Sequence, residues 1–282
     1  MKNDISLILM PSWGITDIPL TLSTLSSYLR ANGLKVGVFD FNIELYHLLS
    51  EYRKWWDLAH GLDSWQKDDF ISKLWNDNFP VLESLMDDVI QSNPSYVSFS
   101  VFISNRLISE RFAEMLKIKS PEIKIVFGGP EIAYLENLPE YVEKHKYVDY
   151  LVKGEGEEAL LKIAKKMETE RIITVQKTIS DLDALPFQDF SDFDFEAYHD
   201  TSAFPIYSSR GCPNSCIYCT ERNFMGRFRT RSAERLFEDI KTQKEKYPFL
   251  RMFRLHESTS NGNIKQLEKF CDMMIEADLG LK

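Results

Sequence analysis

Three of the four cysteines fall within eight residues, Cys212-Pro-Asn-Ser-Cys216-Ile-Tyr-Cys219, spaced C-x3-C-x2-C. Three thiolates on one short loop can converge on three corners of a metal cluster. A structural zinc site or a four-cysteine iron–sulfur cluster normally takes a fourth thiolate. The remaining cysteine, Cys271, falls on the apolar face of an expected helix with Leu267, Phe270, Met274 and Ile275, and reads as core. That leaves a metal centre with three protein ligands and one open corner, the mark of a reactive site. A structural zinc site is the bland alternative. Clustered cysteines in a chain without a secretion signal bind metal or do redox work more often than they form disulfides.

Polar residues flank this motif. Arg222, Arg227, Arg229, Arg231 and Arg235 follow it. Their charge offsets thiolates and suits an anionic carboxylate; a solvated basic surface is the plainer reading. Further on, Leu255-His256-Glu257-Ser258-Thr259 ends an expected strand and places polar groups at its tip. The net charge of −9 is uneven: residues 205–282 carry 14 Lys+Arg and 10 Asp+Glu, a balance of +4, so residues 1–204 carry −13. The acidic first part argues against a nucleic-acid binder. The basic second part suits a local anionic ligand.

The elements that must position these groups follow from periodicity. Short apolar runs at residues 5–10, 35–41, 96–102, 124–127 and 148–152 read as five strands buried on both faces. Helices are expected at residues 20–31, from 42 onward, and at 81–91, 107–118, 138–145 and 158–167. Such alternation predicts an α/β, doubly wound, Rossmann-like parallel sheet. Ligands of such sheets sit at the carboxyl ends of the strands. The loops there are residues 11–14, 41–42, 102–104, 128–131 and 154–157. Residues 52–80 hold Trp55, Trp56, Trp65 and Trp75 and read as an insertion of short helices, packed aromatics or a partner surface. Residues 171–204 read as an acidic connector, with seven acids and no Lys or Arg between Asp181 and Asp200. The expected domains are residues 1–170, that connector, and residues 205–282. In the last part, strands at 206–209 and 250–255 and helices at 232–247 and 264–277 are expected, with Ser232 as an N-cap. No apolar run reaches the roughly 18 residues needed to span a bilayer. The N-terminus lacks a signal-peptide cleavage site, so the cytoplasm is the expected compartment and no membrane partner is expected.

The segment IYSSRGCPNSCIYC resembles the cluster loop of the radical S-adenosylmethionine (SAM) enzymes. That resemblance implies a [4Fe-4S] cluster on Cys212, Cys216 and Cys219, with SAM chelating the fourth iron. It implies Tyr218 against the adenine, and Glu257 or Ser258 on the SAM amino group. It implies reductive cleavage of SAM, fed by an external electron donor such as flavodoxin or ferredoxin, and a small-molecule substrate. The first part resembles the cobalamin-binding domain of the cobalamin-dependent radical SAM subfamily, through the turns GGPE and GEGEEAL and the connector LDALPFQDF. That implies cobalamin contacts from Ser100, Gly128, Gly129, Glu131, Gly154 and Glu155. The D-x-H-x-x-G motif that supplies a lower histidine ligand is absent, as it is in many members of this subfamily. A methylthiotransferase is not indicated, because residues 1–204 hold no cysteine. The implied chemistry is methyl transfer to, or radical rearrangement of, a metabolite. A full (β/α)8 barrel takes about 250 residues, and residues 205–282 are 78. The expectation is therefore an incomplete barrel, the N-terminal portion of a longer enzyme. The competing expectation is a non-catalytic, cluster- or zinc-binding Rossmann-like scaffold or regulator.

Overall fold

The computed structural model describes residues 2–219 and 221–281; for Leu58, Arg222 and Asn223 only the backbone is described. The chain divides into two compact units: Met1–Ile15 with Tyr28–Gln176, and Thr16–Ser27 with Lys177–Lys282. No helix of the described residues is long and apolar enough to cross a membrane.

In chain order the first unit contains β1 (Ile5–Leu9), α1 (Leu20–Ala31, shared with the second unit), β2 (Val36–Asp40), α2 (Phe41–Leu48), α3 (Leu58–Trp65), α4 (Asp68–Asp77), α5 (Phe79–Gln91), β3 (Tyr96–Ser100), α6 (Arg106–Lys119), β4 (Lys124–Gly128), α7 (Pro130–Tyr134), α8 (Leu138–Lys144), β5 (Tyr150–Lys153), α9 (Gly156–Ala164) and β6 (Ile172–Thr174). Its six strands form one parallel sheet in the order 2-1-3-4-5-6. β1 and β3, the first and third strands, are buried along their whole length, as helices on both faces require. The sequence reading expected five strands. The sixth, β6, is a three-residue, half-exposed edge strand inside the expected connector, too short to show a period.

The Trp-rich insertion is packing. Trp56, Trp65 and Trp75 are buried in the core. Trp65 stands edge-on to Trp56 at 5.0 Å and to Phe70 at 5.3 Å, the geometry that ring quadrupoles favour. Each buried indole N–H that needs a partner finds one: Trp56 donates to Asn42 Oδ1 and Trp65 to the Trp55 carbonyl, both at 2.8 Å.

The second unit contains β7 (Ala203–Ile206), β8 (Ser209–Arg210), α10 (Glu221–Met225), β9 (Arg229–Thr230), α11 (Ala233–Lys246), β10 (Met252–Leu255) and α12 (Ile264–Ala277). β7 and β10 pair in parallel, Ala203 opposite Met252 through Ile206 opposite Leu255. The strand expected at residues 206–209 therefore starts three residues earlier and breaks after Ile206. Ser232 caps α11 by accepting from the Arg235 N–H. These parallel strands and their helices form a β–α–β–α arrangement, which does not by itself define a barrel.

The acidic stretch before β7 docks through its apolar residues. Leu182, Leu185, Phe190 and Phe195 are buried. Asp183 accepts from the Ser232 N–H, and Gln243 of α11 donates to the Gln188 carbonyl at 2.6 Å. Cys271 corrects the sequence reading: it is exposed, as is Ile275, while Phe270 is buried and Leu267 and Met274 are half-buried. The helix buries a narrower stripe than its apolar positions offer, because α11 and β10 cover one side of it.

Candidate cluster loop and ligand edge

The strand β7 hands the chain to Tyr207, Ser208 and then β8, which pairs antiparallel with β9. This two-residue ladder closes residues 211–228 into a loop that carries all three motif cysteines. Gly211 sits at the neck with φ +73°, and a Cβ there would lie 3.0 Å from the carbonyl oxygens of Gly226 and Arg227. Only glycine takes both the left-handed conformation and the close approach without strain. Arg229 ties the same neck, donating to the carbonyls of Met225, Ile179 and Arg227.

Beyond the neck the loop is open. Cys216 and Cys219 are exposed, Cys212 is half-buried, and none is in a disulfide. Tyr218 is 86% exposed. A turn links the Cys219 N–H to the Cys216 carbonyl at 3.1 Å. Cys212 Sγ lies 3.0 Å from Thr259 Oγ1 and 3.6 Å from Asn214 Nδ2. The Thr259 hydroxyl, and then the Asn214 backbone amide, hold this thiol below its ordinary pKa. Among the described residues, no group of three or more His, Cys, Asp or Glu side chains is close enough to hold a metal ion. The three thiols share a loop and do not yet share a point. Their chemistry fits a thiolate-bound cluster: soft donors, in no disulfide, on a segment fixed at its base.

The arginines do other work than the sequence suggested. Arg231 is fully buried, pairs with Asp239 at 2.7 Å, donates to Tyr207 Oη at 3.1 Å and lies over the Tyr207 ring. Burial pushes the Asp239 carboxyl up, and Arg231 pulls it back. Arg235 donates to the Leu185 carbonyl and stacks 3.7 Å from the Phe187 ring centroid. With Arg229 at the neck, these three hold the fold rather than an anion. Arg227 is exposed, and the Arg222 side chain lies outside the described residues. Arg210, which sequence reasoning missed, donates to Tyr207 Oη at 3.2 Å directly ahead of the cysteines. At the end of β10, Ser258 is exposed, and the Glu257 carboxylate is bonded to Ser208 and Ser209. His256 faces Asp17 at 3.5 Å, and Arg254 pairs with Asp17 and Asp200.

In the first unit the carboxyl edge is built by two asparagines. Asn105 Oδ1 accepts from the Phe102 N–H, and its Nδ2 donates to the carbonyls of Met10 and Ser100 at 3.1 Å each. Asn42 Oδ1 accepts from the Trp13 N–H, and its Nδ2 donates to the Gly14 carbonyl. Ser104 Oγ donates to the Ser12 carbonyl at 2.5 Å. The loops after β1 and β3 are thus locked together where the strand order reverses, the usual ligand position in such sheets. There the half-buried rings of Trp13 and Phe102 lie 4.2 Å apart.

The residues read as cobalamin contacts all lie on this edge, in different states. Gly129 has φ +106°, and a Cβ would meet the Val101 carbonyl oxygen at 2.6 Å, whereas one at Gly128 would meet ordinary contacts. Glu131 sits 3.1 Å from Arg106 Nε, and its N–H donates to the Val101 carbonyl. Ser100 and Glu155 are buried, and Gly154 has φ +118°. Ser12 Oγ is buried with no hydrogen-bond partner among the described residues. An orphaned hydroxyl in a preformed loop, beside an apolar ring pair, fits a large ligand with polar side groups. Ser12, Trp13, Phe102, Ser104 and Asn105 were not singled out in the sequence; the Ser-Asn pair opening α6 was the available signal.

Comparison with known proteins adds to this geometry. The family described as "B12 binding domain" matches residues 66–164, from just before α4 to the end of α9. The anaerobic magnesium-protoporphyrin IX monomethyl ester cyclase of Synechocystis sp. is 24% identical over 190 residues, 61% of this chain and 38% of that protein. The cobalamin-dependent radical SAM methyltransferase TokK of Streptomyces tokunonensis is 30% identical over 78 residues, 28% of this chain and 11% of that protein. Among solved structures, the radical SAM methyltransferase TsrM of Kitasatospora setae, with tryptophan substrate and the SAM analogue aza-SAM bound, superposes on 97% of this chain with a TM-score of 0.64 at 16% identity. The chain covers 51% of that structure, and so spans about half of TsrM and well under half of the curated relatives.

Proposed function

We propose, from the premise that the chain is of the cobalamin-binding radical SAM kind, that it holds a [4Fe-4S] cluster and cobalamin in an enzyme of methyl transfer to, or radical rearrangement of, an unactivated position in a metabolite. The observation that carries this reading is the cysteine loop: three free thiols beyond a fixed neck, in a chain whose residues 66–164 match a B12 binding domain.

Cys212, Cys216 and Cys219 are the cluster ligands in this reading, with one iron left for SAM. Tyr218 and Ser258, both exposed, are assigned to SAM. Cobalamin is assigned to the edge formed by Ser100, Gly128, Gly129, Glu131, Gly154 and Glu155, with the Trp13–Phe102 pair as its apolar part. Bound, these groups supply one-electron reduction of SAM and carriage of a methyl group. The chain's own residues do the holding. Gly211 and Arg229 fix the neck so that the thiols close without disturbing β7. Gly129 lets the β4 loop lie against the β3 loop, and Asn105 keeps both in place. None of the five histidines lies in the loops after β1, β3, β4 or β5, so the reading includes no histidine ligand to cobalt from them. An external one-electron donor of the flavodoxin or ferredoxin class completes the scheme, with the cytoplasm as its compartment.

Anaerobic reconstitution with iron and sulfide tests the cluster. About four irons per chain and iron–sulfur absorbance are expected, and both should be lost in Cys216→Ala. Unchanged iron in that variant rejects the assignment, and stoichiometric zinc in place of iron replaces it with a structural site. Titration with hydroxocobalamin, followed by its visible spectrum, tests the first unit separately.

A further inference from the structure

The Glu257 carboxylate lies two residues past the end of β10 and is already occupied. Its Oε2 accepts from the Ser208 N–H at 2.6 Å and the Ser209 N–H at 2.8 Å, and Ser208 Oγ lies 2.7 Å from both carboxylate oxygens. Two residues on, Thr259 Oγ1 is 3.0 Å from Cys212 Sγ, and the Thr259 carbonyl accepts from Ser209 Oγ at 3.2 Å. The loop after β10 therefore grips residues 208, 209 and 212, the stretch that enters the cysteine loop.

The grip has a structural reason. β7 ends at Ile206, and its ladder with β10 runs on only to the His256 N–H on the Ile206 carbonyl. The chain then turns toward β8, and the N–H groups of Ser208 and Ser209 leave that ladder. A carboxylate satisfies such a pair with charge-assisted bonds, which are shorter and about twice as strong as neutral ones. The two backbone donors occupy Oε2, and a ligand amine approaching Oε1 would have to compete with the Ser208 hydroxyl there.

We infer that Glu257 is a positioning residue for the cysteine loop and not a contact for the SAM amino group, with Thr259 extending the same grip to Cys212. The inference rests on the cluster reading above for what the loop is positioned to do. The grip itself does not depend on that reading.

Glutamine keeps the shape and one acceptor oxygen for both N–H groups while removing the charge; alanine removes the grip. The test compares Glu257→Gln and Glu257→Ala with wild type in two steps. In the metal-free full chain, hydrogen exchange of peptides spanning residues 206–212 should quicken tenfold or more in the alanine variant and much less in the glutamine variant. Peptides of β1, β3 and β4 report that the first unit stays folded. Thr259→Val, which leaves Glu257 intact, should quicken exchange of the peptides spanning residues 206–212 by less than Glu257→Ala does. After reconstitution, SAM affinity per cluster should be unchanged in Glu257→Gln. Unchanged exchange in Glu257→Ala overturns the grip. A tenfold loss of SAM affinity in Glu257→Gln with iron content intact overturns the assignment in favour of an amine contact. A wild type that takes up no iron refutes the cluster reading and leaves the exchange result to decide the grip.

Discussion

Asn105 and Asn42 close the loops after β1 and β3 with hydrogen bonds to five backbone groups, whereas Cys216, Ile217, Tyr218 and Cys219 stand exposed on a loop fixed at its base by Gly211 and Arg229. In the function proposed above, the difference follows from what each region binds. A large organic ligand is held by many weak contacts, so its seat has to be rigid before it arrives. A metal cluster makes strong metal–thiolate bonds, and its binding energy orders the segment that holds it. On that proposal, the first edge carries its order in the apoprotein, and the cysteine loop takes its final arrangement from the cluster.

Four substitutions can break or sharpen this contrast, all in metal-free protein. Asn105→Ala should have the largest effect. It leaves the Phe102 N–H and the Met10 and Ser100 carbonyls without their side-chain partner, for a loss of about 3 kcal/mol. Urea unfolding followed by tryptophan fluorescence reads it cleanly, because all five tryptophans belong to the first unit. A loss below about 1 kcal/mol means the edge is not preformed. Next comes the glycine pair. Gly129→Ala should cost about 2 kcal/mol, since its φ and the Val101 carbonyl both oppose a Cβ, while Gly128→Ala should cost under about 1 kcal/mol. Equal costs would mean that the turn, and not the close approach, sets the requirement. Tyr218→Ala should have the smallest effect, within about 0.5 kcal/mol by circular dichroism melting. A larger loss would show a packed tip and remove the contrast.

Much of this was legible in the chain. The helices Leu20–Ala31 and Ile264–Ala277 follow apolar spacing to the residue, and the Ser232 cap follows from local chemistry. Alternating strands and helices gave the parallel sheet and the carboxyl edge to which the ligand contacts were assigned. The misreadings share a cause. Cys271 and the arginines at 229, 231 and 235 were judged by residue type and position along the chain; the fold leaves Cys271 exposed and commits the arginines to groups on other segments. Arg229 ties to residue 179, Arg235 to residue 185, and Glu257 to residue 208. β6 escaped because three residues carry no period.

The sequence by itself determined the main helices and the five core strands of the first unit, the order of the sheet's building units and the three thiols, because period, capping and spacing are local properties. The tertiary structure alone decided which polar side chains are free to meet a ligand. A carboxylate or guanidinium is committed by whichever backbone groups the fold leaves unpaired beside it, and those come from elsewhere in the chain.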